Sequence, residues 1–308
     1  MGLQYKKKFG LMDYFRSPIQ RNAILTAFAF LAIPMLVYLI FVVFPIFQAA
    51  YFSLYKWNGL GSLTDFRGID NFTKIFTDPI FGKAIANNFK IVFLSLIFQI
   101  PLSLVIALVI ARRFKGAVVF RTIFFLPYIL SEVIAGTIWS FVYNPQIGIQ
   151  NTVLADWIPW LSNFQFLGHQ DTVFASIFVV LIWKYFGLHM VILIAGMQSI
   201  PIEVEEAAYI DGVNKWQLNW HIILPLLKPT ILLSVFFSIV GSFQTFDIIW
   251  AMGRGDPVNG AETMVTYMYK YGFQRFQLGF GSAVAVVIFM ITIGVSLLYQ
   301  KFTAEKES

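Results

Sequence analysis

The sequence predicts an all-α integral membrane protein with six transmembrane helices. Three observations carry the prediction. Of 308 residues, 58% are hydrophobic and 12% charged, against about 25% charged in a soluble domain, and the mean hydropathy is +0.72. The apolar residues are gathered into runs of the roughly 20 residues that a helix needs to cross the hydrocarbon. Lysine and arginine cluster in alternate connections between those runs, as topology signals do.

The runs lie at about 24–47, 89–111, 122–143, 172–197, 230–250 and 281–300. The first contains Pro34 and Pro45, which a membrane helix tolerates because neighbours re-satisfy the freed carbonyls. It is too long for the apolar core of a cleaved signal peptide, and polar sequence separates it from Lys6-Lys7-Lys8; it reads as a retained span. Lys6, Lys7, Lys8, Arg16 and Arg21 precede it, Arg112, Arg113, Lys115 and Arg121 follow the second run, Lys215 and Lys228 the fourth, and Lys301 and Lys306 the last. The other connections carry Lys56, Arg67, Lys74, Lys83, Lys90, Arg254, Lys270 and Arg275, spread over longer loops. The denser set marks the cytoplasmic side. Both termini and the connection 199–229 are therefore expected in the cytoplasm, with loops 48–88, 144–171 and 251–280 outside. The domain reading is a cytoplasmic tail at 1–23, one transmembrane domain at 24–300 and a second tail at 301–308, with no soluble domain.

Several function classes are excluded at this stage. There is no cysteine, so disulfides, thiolate metal sites and thiol catalysis are out. His169, His189 and His221 fit no ligand spacing, and no GxxxxGK[ST] loop is present to bind nucleotide. The formal charge of +6 does not point to nucleic acid, because the basic residues flank apolar runs.

The most patterned polar segment is the connection after the fourth run. It reads Glu206-Ala207-Ala208, then Gly212 after three residues, then Ile222-Ile223-Leu224-Pro225 after nine more. Glu203, Glu205 and Glu206 load the start of a short helix with acid, where the helix dipole favours it. Ala207 and Ala208 are small enough for a partner to approach closely. Gly212 supplies a flexible or positive-φ corner between two short helices, and Leu224-Pro225 opens the helix that becomes the fifth span. Alone, this describes either a capped amphipathic loop or a knob made for a groove in another protein.

The spacing resembles the EAA loop of permease subunits in binding-protein-dependent ABC importers. Other segments are similar to sugar-type permeases of that family, of the first-subunit type: Phe30-Leu31-Ala32-Ile33-Pro34, Ser53 to Gly59, Asn71-Phe72, Asn87-Asn88-Phe89, Phe125-Leu126-Pro127-Tyr128, Gly196 to Pro201, Phe246-Asp247 and Thr263 with Tyr267-Met268-Tyr269. The resemblance covers nearly the whole chain and includes maltose, multiple-sugar and glycerol-phosphate permeases. The chain departs from the maltose permease in lacking an extra N-terminal helix and a large periplasmic insertion, so maltose is not carried over as substrate.

The resemblance implies a type I importer permease fold and translocation of a carbohydrate, an oligosaccharide above all, by alternating access. Coupling falls on Glu205, Glu206, Ala207, Ala208, Asp211, Gly212, Leu224 and Pro225. The implied partners are a second permease subunit, two ATP-binding cassette ATPase subunits holding ATP and Mg, an extracytoplasmic sugar-binding protein, and the lipid of a prokaryotic cytoplasmic membrane. This chain is expected to bind no cofactor and to be no enzyme.

Ionisable groups inside a span are site hypotheses, because burying them in lipid costs several kcal/mol. Glu132 and Lys184 are the two clear cases. Either they pair with each other and hold the bundle together, or they line a cavity and hydrogen-bond sugar hydroxyls. By resemblance, substrate contacts fall on Tyr128 and Glu132, on Lys184, Tyr185 and Leu188, and on Gln244 and Thr245. Trp139, Tyr143, Trp183, Tyr185, Phe186, Phe243 and Phe246 offer aromatic faces suited to sugars, though at 18% aromatic content most such rings must pack or face lipid. Asp247, near the outer end of the fifth run, suggests a gate or structural hydrogen bond, and His189 a packed, satisfied residue. A secondary transporter driven by an ion gradient would instead show paired mid-membrane acids and internal repeats with broken helices. An intramembrane enzyme would need a Ser/His, HExxH or di-acid constellation, and the sequence has none.

Overall fold

In the computed structural model, which describes residues 18–111, 116–148 and 164–304, helices follow the predicted runs. The segments 1–17, 112–115, 149–163 and 305–308 lie outside the described residues, and with them the topology assignments resting on Lys6, Lys7, Lys8, Arg16, Arg112, Arg113, Lys115 and Lys306.

Helix α1 comprises Pro18–Tyr38, a π turn Leu39–Val43 and Phe44–Phe52. A short α2, Asp70–Thr77, leads into α3, Pro79–Ile110. Helices α4 (Ala117–Ile129) and α5 (Glu132–Val142) follow, then α6, Gln170–Gln198. Next come α7 (Ile202–Ile210), α8 (Lys215–Gln244), α9 (Asp247–Gly253), α10 (Met264–Tyr269) and α11 (Leu278–Ala304). By length and composition, α1, α3, α6, α8 and α11 can each cross a membrane, and α4 with α5 forms a sixth, bent span.

Three π turns have a common cause. Leu39–Val43, Ser95–Gln99 and Asn219–Ile223 end two residues before Pro45, Pro101 and Pro225. A proline inside a helix lacks the N–H for its i−4 carbonyl and its ring collides with that carbonyl. Widening the preceding turn to an i→i−5 bond, as in Phe44 N–H to Leu39 O, relieves the collision without ending the helix.

Two expectations need correction. The run 122–143 is not one straight span: it bends by 95° between α4 and α5, where Leu130 and Ser131 are extended at ψ 142° and 141°. The run 230–250 likewise breaks at Thr245-Phe246, between α8 and α9. Freed carbonyls in a membrane are tolerated only where protein satisfies them. Asn88 Nδ2 donates to Ser242 O at 2.8 Å, Thr245 Oγ1 to Gly241 O at 3.1 Å, and Thr263 Oγ1 to Thr245 O at 3.1 Å. The broken halves pack together: α5 lies on α9 so closely that a Cβ at Gly136 would sit 2.7 Å from Ala251 Cβ.

Buried asparagines tie the end of the bundle that carries α2 and α10. Asn87 Nδ2 donates to Gly260 O at 3.1 Å and Glu262 O at 2.9 Å, while Asn88 Oδ1 accepts from Met264 N–H at 2.9 Å. Asn71 Nδ2 reaches Ser53 O and Tyr55 O at 2.7 and 3.0 Å. Glu262, fully buried, accepts from Lys270 Nζ at 2.5 Å; burial holds its carboxyl above the usual range against the pull of that ammonium. The first span has no buried residue in its apolar window, and its last part, Phe44–Phe52, packs along α11.

Candidate substrate cavity and coupling loop

The breaks in the third and fifth spans open onto one cavity of about 500 Å³, within the roughly 300–1,000 Å³ of small-molecule sites. Helices α3, α6 and α8 form its walls, and the α4–α5 and α8–α9 corners its end. Six of the seven substrate residues carried over by resemblance line it: Tyr128, Glu132, Tyr185, Leu188, Gln244 and Thr245. Tyr185 Oη donates to Glu132 Oε1, so the carboxylate is fixed to α6 rather than free.

Lys184 is placed differently from both readings made of it. It is 2% exposed and does not line the cavity. Its Nζ donates to Pro127 O at 3.1 Å, Tyr128 O at 3.0 Å and Leu130 O. Three ammonium donors thus meet three carbonyls freed by the break in span 3. The rings of Tyr128 and Tyr185 flank the cation at 5.7 and 5.8 Å. Among the described residues, no ion pair joins Lys184 to Glu132. Lys184 is a helix cap delivered from a neighbouring helix.

Most of the aromatic faces also lie elsewhere. Trp139, Tyr143 and Trp183 pack in a core with Phe166, and Tyr143 stacks on Phe166 at 4.5 Å. Phe243 is fully buried in a second core, Phe186 meets Phe124, and Phe246 stacks on Trp250. Of the rings proposed, Tyr185 lines the cavity, joined by Tyr128 and Phe237. His189 is satisfied, as expected, by Ser234 Oγ at 2.7 Å, yet it also borders the cavity.

Residue reading passed over Ser95, Gln99, Ser238 and Ser242, all of which line the cavity. The signal existed: Ser234, Ser238 and Ser242 recur every fourth residue, a polar stripe along one face of α8. Ser238 Oγ is buried without a protein partner at the cavity wall. Asp247 lines the cavity too, from the first turn of α9.

The patterned loop forms a tight corner built almost entirely from local bonds. Helix α7 ends in a Schellman motif. Gly212 N–H reaches Tyr209 O at 3.1 Å and Val213 N–H reaches Ala208 O at 3.0 Å, which requires left-handed backbone at Gly212, observed at φ 78°. Two residues on, Asn214 and Gln217 close a reciprocal capping box that starts α8. The fixed interval from Ala208 to Gly212 is therefore the distance from the C3 carbonyl to the positive-φ corner. Contrary to the expectation from sequence, Leu224-Pro225 does not open a new helix; the helix starts at Lys215 and Leu224 follows its π turn. Ala208 is buried against Leu218 and Ile223, so it holds the corner together. Glu206, Ala207, Asp211 and Gly212 face solvent, with Glu205 half-buried. Around them stand Ile210 at 87% and Trp216 at 71% exposure.

A helical chain with membrane-length spans, a cavity at two span breaks and an exposed corner has the architecture that a transport subunit needs. Residues 99–303 match the family described as binding-protein-dependent transport system inner membrane component, and the chain belongs to that family. It is similar to the probable ABC transporter permease protein YurN of Bacillus subtilis, with 33% identity over 88% of this chain and 93% of that protein. It is similar to the multiple sugar-binding transport system permease protein MsmF of Streptococcus mutans, at 33% over 90% and 95%. The sn-glycerol-3-phosphate transport system permease protein UgpA of Brucella abortus is 30% identical over 90% and 94%. Among solved structures, a chain of a bacterial ABC transporter involved in the import of the acidic polysaccharide alginate superposes with TM-score 0.80 and 25% identity, covering 93% of this chain and 97% of that one. A bacterial alginate ABC transporter in complex with an alginate pentasaccharide-bound periplasmic protein gives TM-score 0.77 and 26% identity over 91% and 94%.

Proposed function

We propose that this chain is one half of the pore of an ATP-driven carbohydrate importer, with a second permease subunit as the other half. An extracytoplasmic binding protein delivers the sugar to loops at the α2–α10 end. Two ATPase subunits, holding ATP and Mg, engage the α7–Gly212–α8 corner from the cytoplasm, where both termini also lie. Closure of the ATPases carries the corner with it and rocks the spans, so that the cavity faces outward, then inward after hydrolysis. Such coupling needs contacts that differ between the two states at both ends.

The observation that carries the reading is the corner itself. Its backbone is locked by the Schellman motif and capping box, while Ile210, Trp216 and Trp220 stand exposed around small Ala207. A rigid corner with large apolar side chains in the open is fitted to a groove in another protein. The cavity residues Tyr128, Glu132, Tyr185, Leu188, Gln244 and Thr245 are the proposed sugar contacts. An ion-gradient transporter would share the broken helices, but the family to which the chain belongs argues against it.

The test is purification of this chain from its own membrane in mild detergent, with mass spectrometry of what accompanies it, followed by ATP hydrolysis in proteoliposomes. Recovery of a second permease and a Walker-motif ATPase, whose activity rises with loaded binding protein, is expected. Recovery of this chain alone, with uptake that survives ATP depletion and collapses with an ionophore, would overturn the proposal.

A further inference from the structure

The relatives differ in the charge of what their names say they carry: an acidic polysaccharide in one case, a glycerol phosphate in another, and multiple sugars in a third. Family membership therefore does not decide the charge of this chain's cargo. The cavity wall bears on it directly. Among the described residues, its lining includes two carboxylates, Glu132 and Asp247, and no lysine or arginine. Lys184, next to the lining residue Tyr185, has its donors turned away to Pro127 O, Tyr128 O and Leu130 O. His189 spends Nδ1 on Ser234 and is buried. The wall's remaining polar groups, such as Gln99, Ser238 and Gln244, are neutral.

The position of the two acids sharpens this. Each sits in the first turn of a short helix that begins at a span break, α5 for Glu132 and α9 for Asp247. Helix starts draw anions through their unpaired N–H groups. At the eleven-residue α5 the chain places its own acid in that first turn, and an acidic ligand in the cavity would meet Glu132 there and Asp247 across the wall. Low-dielectric walls strengthen the repulsion over its value in water.

We propose that this wall selects against acidic carbohydrates: the cargo presents hydroxyl or ammonium donors to Glu132 and Asp247, and no carboxylate, phosphate or sulfonate. The identity of the cargo as a carbohydrate rests on the importer reading; the sign of the wall's field does not.

The chain has no cysteine, which makes the field measurable. Gly241 lines the cavity, and a Cβ there would meet nothing within 4 Å, so Gly241→Cys adds one accessible thiol. In the complex purified from its membrane, this thiol is modified with a cationic trimethylammonium-ethyl or an anionic sulfonatoethyl methanethiosulfonate. Rates are read from the intact mass of this chain and normalised to 2-mercaptoethanol. The cationic reagent is expected to be favoured by about tenfold at low salt, less as ionic strength rises. Adding Glu132→Gln, which keeps an acceptor for Tyr185, together with Asp247→Asn should bring the ratio close to one. If Glu132→Gln fails to accumulate, Asp247→Asn alone, at an exposed position, should still lower it. An anionic reagent that reacts as fast or faster overturns the proposal. So does equal protection of the thiol, against a neutral reagent, by a uronate oligosaccharide and its uncharged counterpart. Loss of the importer reading would appear as missing ATPase partners and leave the reagent ratio unchanged.

Discussion

Replacing Lys184 with methionine separates a structural from a substrate role for the charged residue of the fourth span. Methionine preserves the length and apolar stem of lysine while removing the donors. Pro127 O, Tyr128 O and Leu130 O would then lose their shared partner. At about 1–3 kcal/mol for each buried carbonyl left unpaired, the three amount to roughly 6 kcal/mol. Against this, the variant no longer holds an ion away from water, a relief of several kcal/mol after relaxation; taking that as roughly half of the gross loss leaves a net destabilisation of about 3 kcal/mol. At roughly 2–4 °C per kcal/mol for a chain of this order of size, the thermal unfolding midpoint in detergent should fall by about 6–12 °C. Lys184→Arg should recover only part of the loss, because a planar guanidinium fork does not converge on three carbonyls as an ammonium does. An unchanged midpoint for Lys184→Met, with transport lost through weakened sugar affinity, would refute the capping assignment and return Lys184 to the substrate.

Other substitutions test the corner and the breaks. Gly212→Val forces a β-branched residue to φ 78°, costing about 1–2 kcal/mol, and should abolish binding-protein-stimulated ATP hydrolysis, whereas Gly212→Asn, which tolerates left-handed backbone, should retain most of it; equal activity of the two would dismiss the backbone argument. Asn88→Leu orphans Ser242 O and Met264 N–H together and should destabilise by roughly 2–4 kcal/mol, measured by thermal unfolding of the purified chain. Gly136→Ala drives a Cβ to 2.7 Å from Ala251 Cβ and 3.1 Å from Ile248 O. A loss of about 1–3 kcal/mol is expected from overpacking, and a midpoint equal to wild type would mean that α5 and α9 part easily.

What was legible in the sequence follows from the range of the forces involved. The spans were legible because lipid offers no hydrogen bonds, so each apolar run of sufficient length must satisfy its own backbone. The corner after α6 was legible in part: Gly212 was read as its turning point because a Schellman motif closes over neighbours in the chain, whereas the Asn214–Gln217 capping box and the helix start at Lys215 were not read. Six of the seven residues named by resemblance converge on one volume; Ser238 was passed over although the Ser234-Ser238-Ser242 stripe marked its face, and Gln99 because a single polar residue in an apolar run has no local partner to betray its direction.

By itself, then, the sequence determined the number of apolar runs, the Gly212 turning point of the α7–α8 corner and the proline positions behind three π turns, all of which depend on contacts within a few residues. Only the tertiary structure decided where spans three and five break and where Lys184 points. A break survives only if its freed carbonyls find donors, and here those donors come from Lys184 on α6, Asn88 on α3 and Thr263 ahead of α10. Whether a distant side chain arrives at such a carbonyl is set by how the helices pack, and no pattern along the chain records it.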